Sequence, residues 1–161
     1  MSAGRRDGPH RPAIEAEPMP MQPSQTFGLF LLRLTFGGLM AVGHGWPKLM
    51  LLVSNPEDLA FPDPLGIGAK ASLVGAVVGE LVAGMLVAVG LFTRPAAAVI
   101  AATMFVAGFV HHAGSPWFVP AEGAREPALL YLLGALCIVI MGPGRFSLDQ
   151  KLFIDKKRRR F

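Results

Sequence analysis

Four uninterrupted apolar runs constrain this chain more than any other feature of its sequence. They cover about 27–50, 71–92, 95–112 and 126–142, with short polar segments between them. A helix rises 1.5 Å per residue, so roughly 20 apolar residues cross the ~30 Å hydrocarbon core of a bilayer. The runs do not alternate in polarity, as the strands of a membrane β-barrel would. The sequence therefore predicts an all-α integral membrane protein, a bundle of four transmembrane helices.

The overall composition supports the membrane interpretation. Of 161 residues, 52% are apolar and 16% are charged, whereas an average soluble domain carries about 25% charged residues. A soluble chain of this length buries only part of its surface and has no room to hide so many apolar side chains. Cys137 is the single cysteine, so thiol redox chemistry that depends on an intrachain cysteine pair is excluded.

The positions of the basic residues predict the orientation. Eleven Lys and Arg residues lie in the segments on one side of the predicted spans, and three lie on the other side. Basic segments stay in the cytoplasm, and an even number of spans places both termini on the same side. We therefore expect cytoplasmic N and C termini and a multi-pass protein of the bacterial inner membrane. The net charge of +4 does not indicate nucleic-acid binding, because no recognisable binding module accompanies it.

The predicted organisation has three parts. Residues 1–26 are rich in proline and charge without apolar periodicity, which is typical of a disordered cytoplasmic arm. Residues 27–153 form the four-helix membrane domain. Residues 154–161 form a basic cytoplasmic tail that meets membrane lipids through anionic headgroups.

Small residues recur at four-residue spacing in the first two spans, which predicts close approach of the helix backbones. These residues are Gly37, Ala41 and Gly45 in the first span, and Gly75, Gly79 and Ala83 in the second. A compact bundle follows from this spacing.

Ionisable side chains inside the spans are the candidate functional residues, because a charge in hydrocarbon is expensive. Arg33, His44 and Lys48 are separated by offsets that correspond to about 20° and 60° around an ideal helix, so we expect them on one face. Glu80 lies near mid-membrane and needs protonation or a partner, for which Arg33 and His44 are the candidates.

Depths counted along each span place these groups in layers. Arg33 is expected roughly 9 Å from the cytoplasmic end, Glu80 roughly 18 Å, and His44 and His111 roughly 25 Å. Tyr131 is expected at roughly 16 Å, close to Glu80 in depth. The layers predict a polar ladder across the bundle in which Glu80 and His44 act as catalytic groups.

The alternative interpretations of these residues are structural. Arg33 reaches the inner headgroups in one of them, and Lys48, His112 and Glu126 are ordinary interfacial residues in another. A metal site of His44, His111 and Glu126 is conceivable from ligand type, but no spacing motif supports it, and we predict no metal. The sequence contains no phosphate-binding glycine loop, nucleophile elbow or zinc-binding helix motif.

Several motifs resemble those of the DoxX family of small bacterial membrane proteins. They are LLRLTFGGLMAVGHGWPKL from Leu31, PLGIG from Pro64, GE at Gly79, VGLFTRPAAAVIAATM from Val89 and EPALLYLLGALCIVIMGPGRFSLD from Glu126. The resemblance covers residues 27–153 in order. It implies a four-helix membrane protein associated with redox chemistry, since its relatives include a subunit of a thiosulfate:quinone oxidoreductase.

Three hypotheses for function follow. In the first, the protein is a subunit of a membrane oxidoreductase system that binds quinone through Arg33, Lys48, His111 and Tyr131, with electrons supplied by a partner protein. In the second, it is a non-catalytic scaffold for soluble redox or stress enzymes. In the third, it is a small-solute or ion pathway, which requires a water-accessible cavity and a homo-oligomer.

Overall fold

The structure, a computed structural model, describes residues 22–54, 60–119 and 123–154. Within these ranges it contains helices and no strand. The four long helices are α1 (Pro23–Ser54), α2 (Ala69–Val89), α3 (Thr93–His111) and α4 (Glu126–Met141). A short π-helical turn, Gln150–Ile154, follows α4. The predicted arm lies almost wholly outside the described residues, and the predicted tail does so from residue 155 onward.

Consecutive helices pack side by side and antiparallel. The closest packing joins α3 to α4 and α1 to α2, whereas the backbones of α1 and α4 lie farther apart and meet through side chains. We call the end of the bundle at which α1 begins the proximal end, and the opposite end the distal end. The buried core lies between α1, α2, α3 and α4 and contains Met40, Val87, Ile100 and Ile138 with almost no exposed surface.

Three of the helices are long and apolar enough to cross a membrane, namely α1, α2 and α3. The all-α fold is thereby confirmed, and the three helices support a multi-pass membrane protein. Helix α4 is apolar but has 16 residues, about 24 Å of helix at 1.5 Å per residue. The fourth span and the cytoplasmic position of both termini stay predictions.

Large apolar side chains cover the outer surface of the helices. A soluble protein rarely exposes so wide an apolar surface, whereas hydrocarbon is its natural neighbour. Examples at least two-fifths exposed are Leu34, Val42, Val78, Met85, Phe105, Leu133 and Ile140. The membrane-spanning helices are therefore expected to contact lipid along these faces.

Pro47 lies inside α1, and the helix continues through it to Ser54. The segment Met40–Gly45, which ends two residues before Pro47, is π-helical. In this segment the hydrogen-bond ladder shifts, and the Trp46 N–H donates to the carbonyl of Ala41. A proline removes one N–H from the ladder and crowds the preceding turn. The wider π segment accommodates both effects, so the helix does not stop.

The predicted small-residue ladder brings α1 and α2 together at two points. A Cβ added to Gly37 would lie 2.5 Å from the carbonyl oxygen of Gly84, and one added to Gly45 would lie 2.5 Å from Leu81 Cα. Real Cβ atoms do not approach backbone atoms so closely, so only glycine permits this packing. Gly75 differs, because a Cβ there would meet no atom within 4 Å. Its role is described below.

Candidate binding cavity at the distal end

A cavity of about 430 Å³ opens at the distal end between α1, α2, α3 and the loop before α2. We call it the distal cavity. Its apolar walls include Phe61, Leu65, Ile67 and Val106. Its polar lining consists of Lys48, Ser72, Glu80, Thr103, His111 and His112. Ligand pockets have this character, a mostly apolar surface with a few polar groups that set orientation.

An ion pair between Lys48 and Glu80 forms one side of the cavity. Lys48 Nζ lies 2.5 Å from Glu80 Oε2. The Glu80 side chain is 6% exposed, whereas that of Lys48 is 26% exposed. The ammonium also lies 3.5 Å from the carbonyl oxygen of His44. An ammonium has three N–H donors, so the pair can stay intact while a remaining donor faces the cavity.

This pairing corrects the sequence-based prediction for Glu80. Its expected partners were Arg33 and His44, and the structure instead supplies Lys48. The prediction of one shared face for Arg33, His44 and Lys48 is also wrong for His44, whose ring lies against Tyr131 on α4, whereas Arg33 and Lys48 lie against α2. Arg33 is 1% exposed near the proximal end, and His44 is exposed. The π-helical segment between Arg33 and Lys48 rotates the later residues relative to an ideal helix, which the offset calculation assumed.

Three of the titratable residues predicted within the spans lie in π-helical segments. His44 lies in Met40–Gly45, Glu80 in Val78–Val82 and His111 in Val106–His111. Single π-helical turns inside α-helices frequently occur at functional sites, because the inserted residue redirects a side chain. In this protein two of the three segments, those with Glu80 and His111, line the distal cavity.

Two helical ridges supply much of the lining. On α2 the ridge is Ser72, Ala76 and Glu80, and on α3 it is Thr103, Ala107 and His111. Residues four apart share a helix face, so each ridge reads polar, small, polar along one side. Sequence analysis missed Ser72 and Thr103, although this four-residue pattern was the signal that pointed to them.

His111 and His112 lie at the mouth of the cavity, with ring centroids 4.4 Å apart. His112 Nδ1 lies 3.4 Å from the Ser115 hydroxyl. Burial lowers the pKa of His112, and the nearby His111 and Arg125 lower it further. The lowered pKa favours the neutral ring, and Nε2 is the ring nitrogen that the Ser115 hydroxyl does not approach.

Asp63 orders the loop that covers the cavity. The Ser72 hydroxyl and the backbone N–H of Gly68 donate to its carboxylate, each at 2.7 Å, and the Ile67 N–H donates at 3.0 Å. These bonds, that from Ser72 foremost, lower the pKa of Asp63. The ionised carboxylate thus holds the loop against the first turn of α2, beside the cavity.

His44 and Tyr131 lie together elsewhere, in the groove between α1 and α4. Their rings meet edge to face with centroids 5.2 Å apart, and the Phe36 ring lies 5.3 Å from that of Tyr131. Neither His44 nor Tyr131 lines the distal cavity. Glu126 is also separate, since it accepts the Val119 N–H at 3.0 Å. The predicted polar ladder is therefore divided among several places.

Arg33 belongs to the proximal end. Its Nη2 donates to the carbonyl of Phe146, in the segment after α4. That segment also carries Asp149, whose carboxylate accepts the N–H of Phe92 at 2.7 Å and that of Thr93 at 2.9 Å. Arg33 is thus buried against the segment after α4 and is not exposed on the outer surface of the bundle. Within the described residues, no three His, Cys, Asp or Glu side chains are grouped so as to hold a metal.

Comparison with known proteins gives a family and one relative. The DoxX family model matches residues 28–113. An uncharacterised protein of Haemophilus influenzae is 38% identical over 112 residues, which is 65% of this chain and 83% of the relative. No solved structure matches the chain. The polar lining of the distal cavity falls wholly inside the matched range, from Lys48 to His112.

Proposed function

The protein belongs to the DoxX family, and from that premise we propose that its distal cavity binds the headgroup of a membrane quinone. The observation that carries the proposal is the Lys48–Glu80 ion pair, which lies between apolar helices and lines a cavity. An ion pair that only stabilised the fold would not need to line a cavity. The volume of about 430 Å³ lies within the range of small-molecule sites and suits a single substituted ring.

The chemistry of the lining suits a quinone. A quinone ring presents two carbonyl acceptors and apolar faces, and the cavity offers N–H donors between apolar walls. Lys48 donates to one carbonyl through the N–H that Glu80 does not use. His111 and His112, at the mouth, serve the second carbonyl. Arg33 and Tyr131 fall outside the site that we propose, and His44 contributes through the backbone carbonyl that lies beside Lys48.

Proton transfer is the part of the reaction that we assign to this chain. Reduction of a quinone to a quinol takes up two electrons and two protons. Glu80, with Lys48 beside it, relays protons toward the bound ring, as general acid–base catalysis requires groups within hydrogen-bond reach. The electrons come from a partner redox protein, so the chain acts as one subunit of an oxidoreductase system.

The proposed topology follows the charge distribution. We place the proximal end in the cytoplasm, with α4 as the fourth span and both termini on that side. The described cations of the proximal end are Arg33, Arg94, Arg145 and Lys151, against Asp149 as the one described acid. Such an excess of positive charge marks the cytoplasmic side of bacterial inner-membrane proteins. The distal cavity then faces the periplasmic half of the bilayer.

A lateral entrance to the cavity supports a ligand that arrives from the membrane. Ala71, Gly75 and Ala102 line the cavity and are themselves exposed on the outer surface of α2 and α3. A Cβ at Gly75 would meet no atom within 4 Å, so the gap between the helices is open at this point. The isoprenoid tail of a quinone fits such an opening, because it can stay in hydrocarbon while the ring is bound.

Gly75→Leu is expected to close this entrance and weaken quinone binding. A leucine side chain would occupy the opening that the isoprenoid tail uses, so we expect about tenfold weaker binding of decylubiquinone, which corresponds to about 1.4 kcal/mol. The measurement is quenching of tryptophan fluorescence in lipid nanodiscs. Gly28→Leu is the matched control, because Gly28 is also open to the surface but lies on α1 away from the cavity. Equal affinity of the two variants would contradict lateral entry.

A further inference from the structure

A second cavity lies at the proximal end, and the proposed quinone site does not use it. It has a volume of about 410 Å³ and lies between the start of α1, the end of α2 and the segment after α4. We call it the proximal groove. Its lining is Phe27, Phe30, Val89, Phe146, Ser147, Leu148 and Lys151.

The walls of the proximal groove are aromatic and apolar. The Phe30 ring lies 6.1 Å from that of Phe146 in an edge-on arrangement, and 6.4 Å from that of Phe27. Phe146 is 57% exposed and Phe27 is 54% exposed. Large aromatic side chains left open beside an apolar groove indicate that an apolar group covers them.

The segment that forms one wall is held in place by buried polar contacts. Arg33, which is 1% exposed, donates to the Phe146 carbonyl. The Ser147 hydroxyl donates to the Gly144 carbonyl at 2.7 Å and accepts the Gln150 N–H at 3.1 Å. Asp149 anchors the same segment to the start of α3. The groove is therefore a fixed feature of the fold.

The charge around the groove is positive. Lys151 is exposed and is the cation that lines it. Arg94 and Arg145 lie at the same end, and the carboxylate of Asp149 accepts three hydrogen bonds from Phe92 and Thr93. Among the described residues, Lys151 forms no ion pair. An anion at the mouth of the groove would complement it.

We propose that the proximal groove binds one anionic phospholipid, with an acyl chain against Phe27, Phe30 and Val89 and its phosphate beside Lys151. The apolar walls match the acyl chain, and the lysine matches the headgroup. A free phosphate would use Lys151 alone, and a neutral lipid would use the walls alone. The experiment therefore compares an anionic lipid with a neutral lipid and with inorganic phosphate.

The test is native mass spectrometry of the detergent-solubilised full chain with added phosphatidylglycerol, phosphatidylcholine or inorganic phosphate. We expect the wild-type protein to retain one phosphatidylglycerol. Lys151→Gln should weaken that binding about fivefold, which corresponds to one basic residue near an anionic headgroup, and should leave phosphatidylcholine unaffected. Phe30→Ala should weaken binding of both lipids.

Lys70→Gln is the matched control, since Lys70 is an exposed lysine at the distal end. It should bind phosphatidylglycerol as the wild type does. The proposal is overturned if Lys70→Gln and Lys151→Gln have equal effects, or if inorganic phosphate displaces the lipid. Equal retention of the two lipids by the wild-type protein would also overturn it, because the groove would then be a neutral lipid contact.

Discussion

Glu80→Leu is expected to lower the free energy of unfolding by roughly 3 kcal/mol and to abolish quinone binding. Removal of one member of a buried ion pair typically costs 3–5 kcal/mol, because the other charge stays buried without a partner. We expect the lower end of that range, since Lys48 is 26% exposed. The loss of stability is measured by unfolding in mixed detergent micelles. Binding is measured by fluorescence quenching with decylubiquinone.

A double variant separates the structural role of the pair from its functional role. Lys48→Met combined with Glu80→Leu leaves no unpaired charge, and an apolar replacement of a buried pair is often neutral or stabilising. We expect the double variant to regain the stability that Glu80→Leu loses but not to bind quinone. If it regains both, the pair has no part in binding, and the proposed function is wrong.

Glu126→Leu is the control for the loss of a distal carboxylate. Glu126 accepts one hydrogen bond, from the Val119 N–H, and has no place in the distal cavity. Its replacement should cost about 1 kcal/mol, the usual contribution of one hydrogen bond. Quinone binding should be unchanged. If Glu126→Leu lost as much stability and quinone binding as Glu80→Leu, the effect would not be specific to the carboxylate of Glu80.

Gly45→Ala is expected to have the second large effect, about 3 kcal/mol of lost stability. The added Cβ would lie 2.5 Å from Leu81 Cα and 2.7 Å from Leu81 Cβ. Overpacking costs 1–3 kcal/mol in most cores, and we expect the upper end here because a backbone atom has to move. Leu81 is adjacent to Glu80, so separation of α1 from α2 should also lengthen the Lys48–Glu80 contact and weaken quinone binding.

Gly43→Ala supplies the matched control on the same helix. A Cβ at Gly43 would meet no atom within 4 Å, so the substitution should change the unfolding free energy by less than about 0.5 kcal/mol. Both variants are compared by thermal and detergent unfolding. Equal stability of the two alanine variants would contradict the close approach of α1 to α2.

The positions of the helices could be predicted from the sequence, because the length of an apolar run decides whether it can cross a bilayer. Apolar runs long enough to cross a bilayer placed α1, α2 and α3 to within a few residues, and the predicted fourth run coincides with α4. The ladder of glycine and alanine residues also predicted that α1 and α2 approach closely, although the backbone atoms that Gly37 and Gly45 meet belong to Gly84 and Leu81, outside the predicted ladder. Apolar runs and the spacing of small residues are local properties of the sequence, so they can be recognised without knowledge of the tertiary structure.

The partner of Glu80 depended on features that are not local. The sequence shows Pro47, but whether a helix ends, kinks or widens there depends on what packs against it. The π-helical segment Met40–Gly45 changes the direction of every later side chain of α1, and Lys48 rather than His44 then meets Glu80. The site of Arg33 depended on the segment after α4, more than one hundred residues along the chain.

The most direct test of the proposed quinone site is photo-crosslinking with an azido-quinone, followed by mass spectrometry of peptides from protein in lipid nanodiscs. We predict labelling of two segments, 72–80 on α2 and 103–112 on α3, which carry the ridges of the distal cavity. Excess decylubiquinone should remove the label, and Glu80→Leu should prevent it. Labelling concentrated on α4 around Tyr131, or labelling that persists in Glu80→Leu, would contradict binding of quinone at the Lys48–Glu80 pair.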